Sequence, residues 1–139
     1  MRVVDLFCGC GGLSLGFVKA GMEIVAAFDN WTDALAVYRN NFRHPAIRAD
    51  LMDIDTSVEL IRPYAPDMII GGPPCQDFSS AGKRDENNGR GDLTVAYAEI
   101  ISRIRPQWFV MENVERILKT QKLQDAIHIF RNSGYGLTY

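Results

Sequence analysis

No apolar run in this sequence approaches the roughly 20 residues that span a bilayer, and the opening residues, Arg2 to Asp5, do not start a secretory signal peptide. Cysteine is scarce and odd in number: three residues, Cys8, Cys10 and Cys75. That count argues against a disulfide framework and for a reducing intracellular setting. Positive charge is not in excess either. Fifteen Lys and Arg stand against 17 Asp and Glu, a net charge of −2, which is no basic footprint for gripping nucleic acid unaided. Internal repeats, low-complexity tracts and interdomain linkers are missing as well. The 139 residues therefore make one domain or part of one. A hydrophobic share of 47% and a charged share of 23% belong to a soluble globular chain.

What is present is an alternation of strand and helix signals. "RVVDLF" is an apolar strand that runs into the glycine cluster "GCGG", and "LSLGFVKAG" follows as a helix closed by Gly21. "EIVAAFD" is a second strand, and Leu35, Tyr38 and Phe42 put an apolar stripe on a second helix that His44-Pro45 breaks. "AIRAD" is a short third strand, and "SVELIRPYAP" is one or two helical turns closed by its prolines. "DMIIGG" is a continuous apolar run, expected to be a strand buried on both faces. Residues 82–92, "GKRDENNGRGD", are polar and glycine-rich and read as a surface loop. "LTVAYAEIISRI" is a helix, "QWFVMEN" a fifth strand, and Leu123, Ala126, Ile127 and Phe130 line one side of a last helix ended by Gly134. "GLTY" then reads as the start of a further strand.

This order predicts an α/β fold with a doubly wound, mostly parallel sheet, incomplete at its C-terminal side. In such sheets ligands sit beyond the carboxyl ends of the strands, where the strand order reverses. Each predicted strand ends in chemistry: Gly9 to Gly12, Asp29, Asp50, Pro74-Cys75 and Glu112. The glycines permit a tight turn and close approach of backbone to a ligand. Ser14 replaces the third glycine of the dinucleotide fingerprint, so the turn does not specify a pyrophosphate. Asp29 is placed to accept hydrogen bonds from ribose hydroxyls, and Asp50 to take the amino group of an adenine. An adenosine-bearing cofactor satisfies all three; glycines that only end a strand and aspartates that only cap helices satisfy them too. Cys8 and Cys10 lack zinc-site spacing and read as small residues packed near the turn.

Pro73 and Pro74 fix the direction in which Cys75 leaves the sheet. A nucleophilic cysteine acts as the thiolate and needs a polar or electropositive setting. Lys83, Arg84 and Arg90 supply charge nearby, and Gln76, Ser79 and Ser80 supply neutral hydrogen bonds. Glu112 follows four apolar residues, where partial desolvation is expected to raise its pKa and suit it to hold a proton. A carboxylate that merely favours a helix N-terminus, with Asn113 as the cap, fits the same letters.

"DLFCGCGG", "GGPPCQDFS", "GRGDL" and "MENV" occur in the order and spacing of the cytosine-C5 DNA methyltransferases, which the chain resembles over nearly its whole length. The resemblance implies a Rossmann-like fold that binds S-adenosylmethionine. By it Phe7, Gly9, Gly11 and Gly12 wrap the cofactor, and Asp29 stands where the family usually has a ribose-binding Glu. Asn30 occupies the position that often packs on adenine, with the aromatic Trp31 one place later, and either can cover the base. Asp50 and Leu51 match the adenine edge, and Pro74 and Leu93 the cofactor wall. Cys75 matches the catalytic nucleophile and Glu112 the acid that holds the target base. The implied reaction is methyl transfer to carbon 5 of a cytosine flipped out of double-stranded DNA, with residues 79–92 as a lid.

The family's later motifs and target-recognition region do not occur in these residues. Residues 1–139 are therefore expected to be the N-terminal part of the catalytic domain, inactive without the remainder in the same polypeptide or in a second subunit. The implied setting is the bacterial cytoplasm, without membrane attachment, in an enzyme of the kind found in restriction–modification systems. A tRNA-directed member of the family and a nicotinamide-dependent oxidoreductase are the alternatives; the second has no use for Cys75 beside Glu112.

Overall fold

The computed structural model describes residues 1–74 and 92–139. Five strands, β1 (Arg2–Leu6), β2 (Glu23–Asp29), β3 (Ala46–Arg48), β4 (Met68–Gly71) and β5 (Trp108–Met111), form one sheet in the order β3-β2-β1-β4-β5. Every neighbouring pair is parallel, so all five carboxyl ends lie along one rim. The chain builds outward from β1 to β3, then crosses back to β4 on the other side of β1. The order reverses between β1 and β4, which opens the ligand crevice at their ends.

Among the described residues, five α-helices cover both faces. α1 (Gly12–Lys19) packs Leu13 and Phe17 against Val3, Ile24, Met68 and Ile70. α2 (Thr32–Asn41) sets Leu35 and Tyr38 against Ala27 and Cys8 on that same face. α3 (Ile54–Ile61), α4 (Leu93–Ile104) and α5 (Gln121–Asn132) cover the opposite face, where Leu6, Phe28, Ile69, Tyr97, Ile101 and Phe130 belong to the largest core cluster. This two-layer cover is why β4 is buried along its full length and reads as an unbroken apolar run. Side-chain caps set several helix starts: Asp53 accepts from the Thr56 amide, Asp92 from Thr94 and Thr120 from Leu123.

Three sequence readings need correction. α3 begins at Ile54, three residues before the predicted turn, because Asp53 caps it. Residues 115–119 form a 3₁₀ turn with no apolar period to announce it. "GLTY" is not a strand: it leaves α5 without pairing to the sheet, although the outer edge of β5 is open. Instead the Tyr135 hydroxyl donates to the Pro106 carbonyl at 2.6 Å, and Leu137 packs on the core.

β1 and β4 approach so closely that position 71 accepts no side chain. A Cβ there would stand 2.6 Å from the Leu6 carbonyl oxygen and 2.8 Å from the Tyr97 ring. Gly71→Ala should therefore destabilise the protein by about 1–3 kcal/mol through overpacking. Thermal unfolding measures it, and an unchanged melting temperature would contradict the packing described.

Candidate active site

The glycine turn after β1 is shaped by backbone that most residues avoid. Phe7 has a φ of +58°, Gly9 of +52° and Gly11 of +96°; a non-glycine residue in that region is strained and collects at functional sites. Gly11 has a second reason. A Cβ on it would lie 2.3 Å from the Phe42 ring and 3.0 Å from Tyr38. At Gly9 and Gly12 a Cβ would meet nothing within 4 Å, so the turn faces open space there. Gly11 caps α1 through its backbone only, with no side chain on the helix's first amides.

Asp29, at the end of β2, locks the turn. Its Oδ2 accepts the Gly9 amide and its Oδ1 the Trp31 amide, each at 2.8 Å. Both oxygens keep a lone pair for a further donor. Asn30 and Trp31 are both exposed beside it, and Trp31 presents 63% of its surface. Asp50 is exposed past β3, its Oδ1 accepting the Met52 amide at 3.0 Å. Leu51, matched with Asp50 to the adenine edge, is only 2% exposed and its side chain belongs to the core. Leu93 is half-buried as the first residue of α4, and Pro74 is exposed beyond β4.

The other half of the site is the tip of β5. The Glu112 amide donates to the Gly71 carbonyl at 2.9 Å. Its carboxylate bends over the β4 exit, with Oε2 3.1 Å from where a Gly72 Cβ would be. The Asn113 side-chain amide donates to the Pro73 carbonyl at 2.7 Å, pinning the diproline segment to β5 from the next strand tip. Glu112 is exposed, which corrects the expectation of a desolvated carboxyl: β5 ends the sheet and is buried only in part. Asn113 does not cap a helix, since the cap of the following 3₁₀ turn is Val114. Cys75, with Gln76, Ser79, Ser80, Lys83, Arg84, Arg90 and the loop and lid readings of residues 79–91, lies outside the described residues.

Sequence reading missed the polar layer beneath the turn. Asp5 is fully buried in β1 and takes a hydrogen bond from the Ser14 hydroxyl at 2.6 Å. The only signal was an Asp inside an apolar strand. Cys8 is buried next to it, where lost hydration and the Asp5 and Asp29 charges push its thiol far up; Cys10 is exposed, so only one of the two packs as expected.

A sequence profile described as C-5 cytosine-specific DNA methylase matches residues 1–139. The Type II methyltransferase M.HindV of Haemophilus influenzae is 61% identical over 138 residues, 99% of this chain and 45% of its own. The Type II methyltransferase M.HgiDI of Herpetosiphon aurantiacus is 54% identical over 137 residues, 99% of this chain and 44% of its own. The chain thus spans less than half the length of these relatives. Among solved structures, a DNMT2 mutant of Spodoptera frugiperda superposes with a TM-score of 0.76 at 26% identity, over 95% of this chain and 41% of that one.

Burial raises the Asp5 carboxyl from 3.8 to about 7, against the lowering by its Ser14 hydrogen bonds. The folded protein therefore keeps a proton that the unfolded chain has released between those values. Asp5's share of stability is greatest at the acid end and falls as pH rises toward about 7, then stays level. Thermal unfolding at stepped pH should show this slope in the native protein and a flatter one in Asp5→Asn. Equal slopes would contradict the burial account.

Proposed function

Because the chain belongs to the C-5 cytosine-specific DNA methylase family, we propose that it carries the cofactor pocket and nucleophile of an enzyme that methylates carbon 5 of cytosine in DNA. The observation that carries this reading is the pairing of strand tips. Glu112 leans over the exit of β4, and Asn113 holds the Pro73 carbonyl just before Cys75. The glycine turn stands beside them, across the point where the strand order reverses.

The donor set suits S-adenosylmethionine. Asp29 has lone pairs left for two ribose hydroxyls, the open face at Gly9 and Gly12 admits close approach, and exposed Trp31 offers a flat apolar ring for a base. Asp50 is free to accept an exocyclic amine at its Oδ2, while Phe7 and Leu93 border the same rim. When bound, that cofactor supplies an electrophilic methyl group on a sulfonium sulfur.

The residues do the rest. Carbon 5 of cytosine is a weak nucleophile. Attack of the Cys75 thiolate on carbon 6 forms a C–S bond and moves the ring π-electrons toward carbon 5 and nitrogen 3. Glu112, carrying a proton and donating it to nitrogen 3, stabilises that charge where it develops. With the cofactor bound, carbon 5 would take its methyl group as the methyl–sulfonium bond breaks and the neutral thioether leaves; loss of the carbon 5 proton to solvent would then return the electron pair that expels the thiolate. The base must leave the duplex to reach Cys75, at an unstacking cost of a few kcal/mol. We assign the groups that read the DNA target to sequence outside residues 1–139, in agreement with the net charge of −2.

In the full-length enzyme, Cys75→Ser should abolish the covalent adduct with DNA carrying 5-fluorocytosine and leave S-adenosylhomocysteine binding intact. Full adduct yield from that variant refutes the role of Cys75. Labelled-methyl transfer should appear on DNA and not on tRNA; the reverse result would move the assignment to the RNA-directed branch.

A further inference from the structure

Four side chains beneath the glycine turn form one unbroken hydrogen-bonded line. Ser14 Oγ lies 2.6 Å from Asp5 Oδ2 and 2.6 Å from the Tyr38 hydroxyl, which lies 2.7 Å from His44 Nε2. Asp5, Ser14 and Tyr38 are fully buried, and His44 at the outer end is half-buried. The line starts under the turn, passes through the first turn of α1, crosses to α2 and ends near the surface. Its Tyr38 ring is also one of the two that close over Gly11. We propose that Asp5, Ser14, Tyr38 and His44 are positioning residues for the cofactor turn, a proton relay that holds Gly9–Gly12 most firmly while Asp5 is ionised and its bond to Ser14 is charge-assisted, and less firmly when Asp5 is neutral.

The relay follows from counting protons. An ionised Asp5 only accepts, so Ser14 must donate to it. Ser14 then accepts from Tyr38, which spends its one hydroxyl proton, and Tyr38 accepts from His44 carrying its proton on Nε2. With Asp5 neutral each bond can reverse: Asp5 donates to Ser14, Ser14 to Tyr38, and Tyr38 to an unprotonated Nε2. Balance then requires the imidazole proton on Nδ1, taken from solvent. One proton enters at the outer nitrogen and one arrives at Asp5, so the His44 tautomer reports the buried charge.

The surroundings agree. Around Asp5 stand Cys8 beyond its own strand, Asp29 at the end of β2, Ser14 of α1 and, one bond further along, Tyr38 of α2; Tyr97 of α4 lies across the sheet and feels its charge from there. Burial lifts Asp5 to about 7 and lowers His44 below its usual value, a direction that favours the neutral imidazole at the outer end of the line. Asp5 Oδ1 has no partner, which leaves its hold on α1 to the Ser14 link. An ionised Asp5 also favours a cationic ligand at the turn above it.

The inference rests on the methyltransferase reading for the identity of the ligand, and the test separates the two. In the full-length enzyme, S-adenosylhomocysteine binding is measured calorimetrically from about pH 5.5 to about 8.5, a span that brackets the carboxyl's transition. The native affinity should rise as pH passes about 7. Tyr38→Phe keeps the ring over Gly11 but cuts the line beyond Ser14; the rise should shrink there and vanish in Asp5→Asn. Above neutrality the Tyr38→Phe affinity should fall roughly 2- to 10-fold, the range for one lost hydrogen bond, and appear in KM for S-adenosylmethionine rather than in kcat. Nitrogen NMR of the native imidazole gives a readout that needs no variant: His44 should pass from the Nε2–H to the Nδ1–H form as pH falls through the same transition. A pH profile that neither substitution alters, or a tautomer that does not change, overturns the relay. No binding of S-adenosylhomocysteine at any pH overturns the methyltransferase reading itself.

Discussion

The site depends on one carboxylate, that of Asp29. It accepts an amide from the turn that follows β1 and another from the residue that caps α2, so three elements are fixed to one side chain. The strained φ of Phe7 and the left-handed glycines are affordable because such a bond, together with the ring contacts at Gly11, over-determines the turn. Asp29 is thus a structural keystone before any ligand arrives. A ligand that adds donors to the same two oxygens strengthens an arrangement already made.

The second half of the site is built on a different principle. Glu112 and Asn113 end a strand that is only partly buried, and they are placed by main-chain pairing with β4 rather than by core packing. Their reach across to Gly72 and Pro73 joins two neighbouring parallel strands at their tips. Parallel order is what makes this possible, since it brings every strand's exit to the same rim. An exposed carboxylate there is open to an incoming ligand, whereas a sealed one would need the protein to open first.

Much of this was legible in the letters. β2 and α4 match their sequence boundaries because both carry unambiguous apolar patterns bounded by turn residues. The parallel sheet followed from alternation alone, and the rim residues from the positions where apolar runs stop. Two of the misreadings share a cause: each depends on where the sheet ends. "GLTY" has strand-forming residues but pairs with no described strand. Glu112 follows an apolar run, yet that run belongs to an end strand. The line from Asp5 to His44 joins residues up to 39 positions apart in sequence through contacts of under 3 Å, and no local pattern encodes it. Only the Asp within "RVVDLF" marked the place.

The end position of β5 has a further consequence. Its outward row of amides and carbonyls meets no described partner, and Trp108 and Val110 sit on it with 54% and 39% of their surface in water. A flat apolar strand edge invites pairing with another chain. Handled by itself at high concentration, this polypeptide should be sticky along that seam, and charged substitutions there are the natural remedy for anyone who needs it monodisperse.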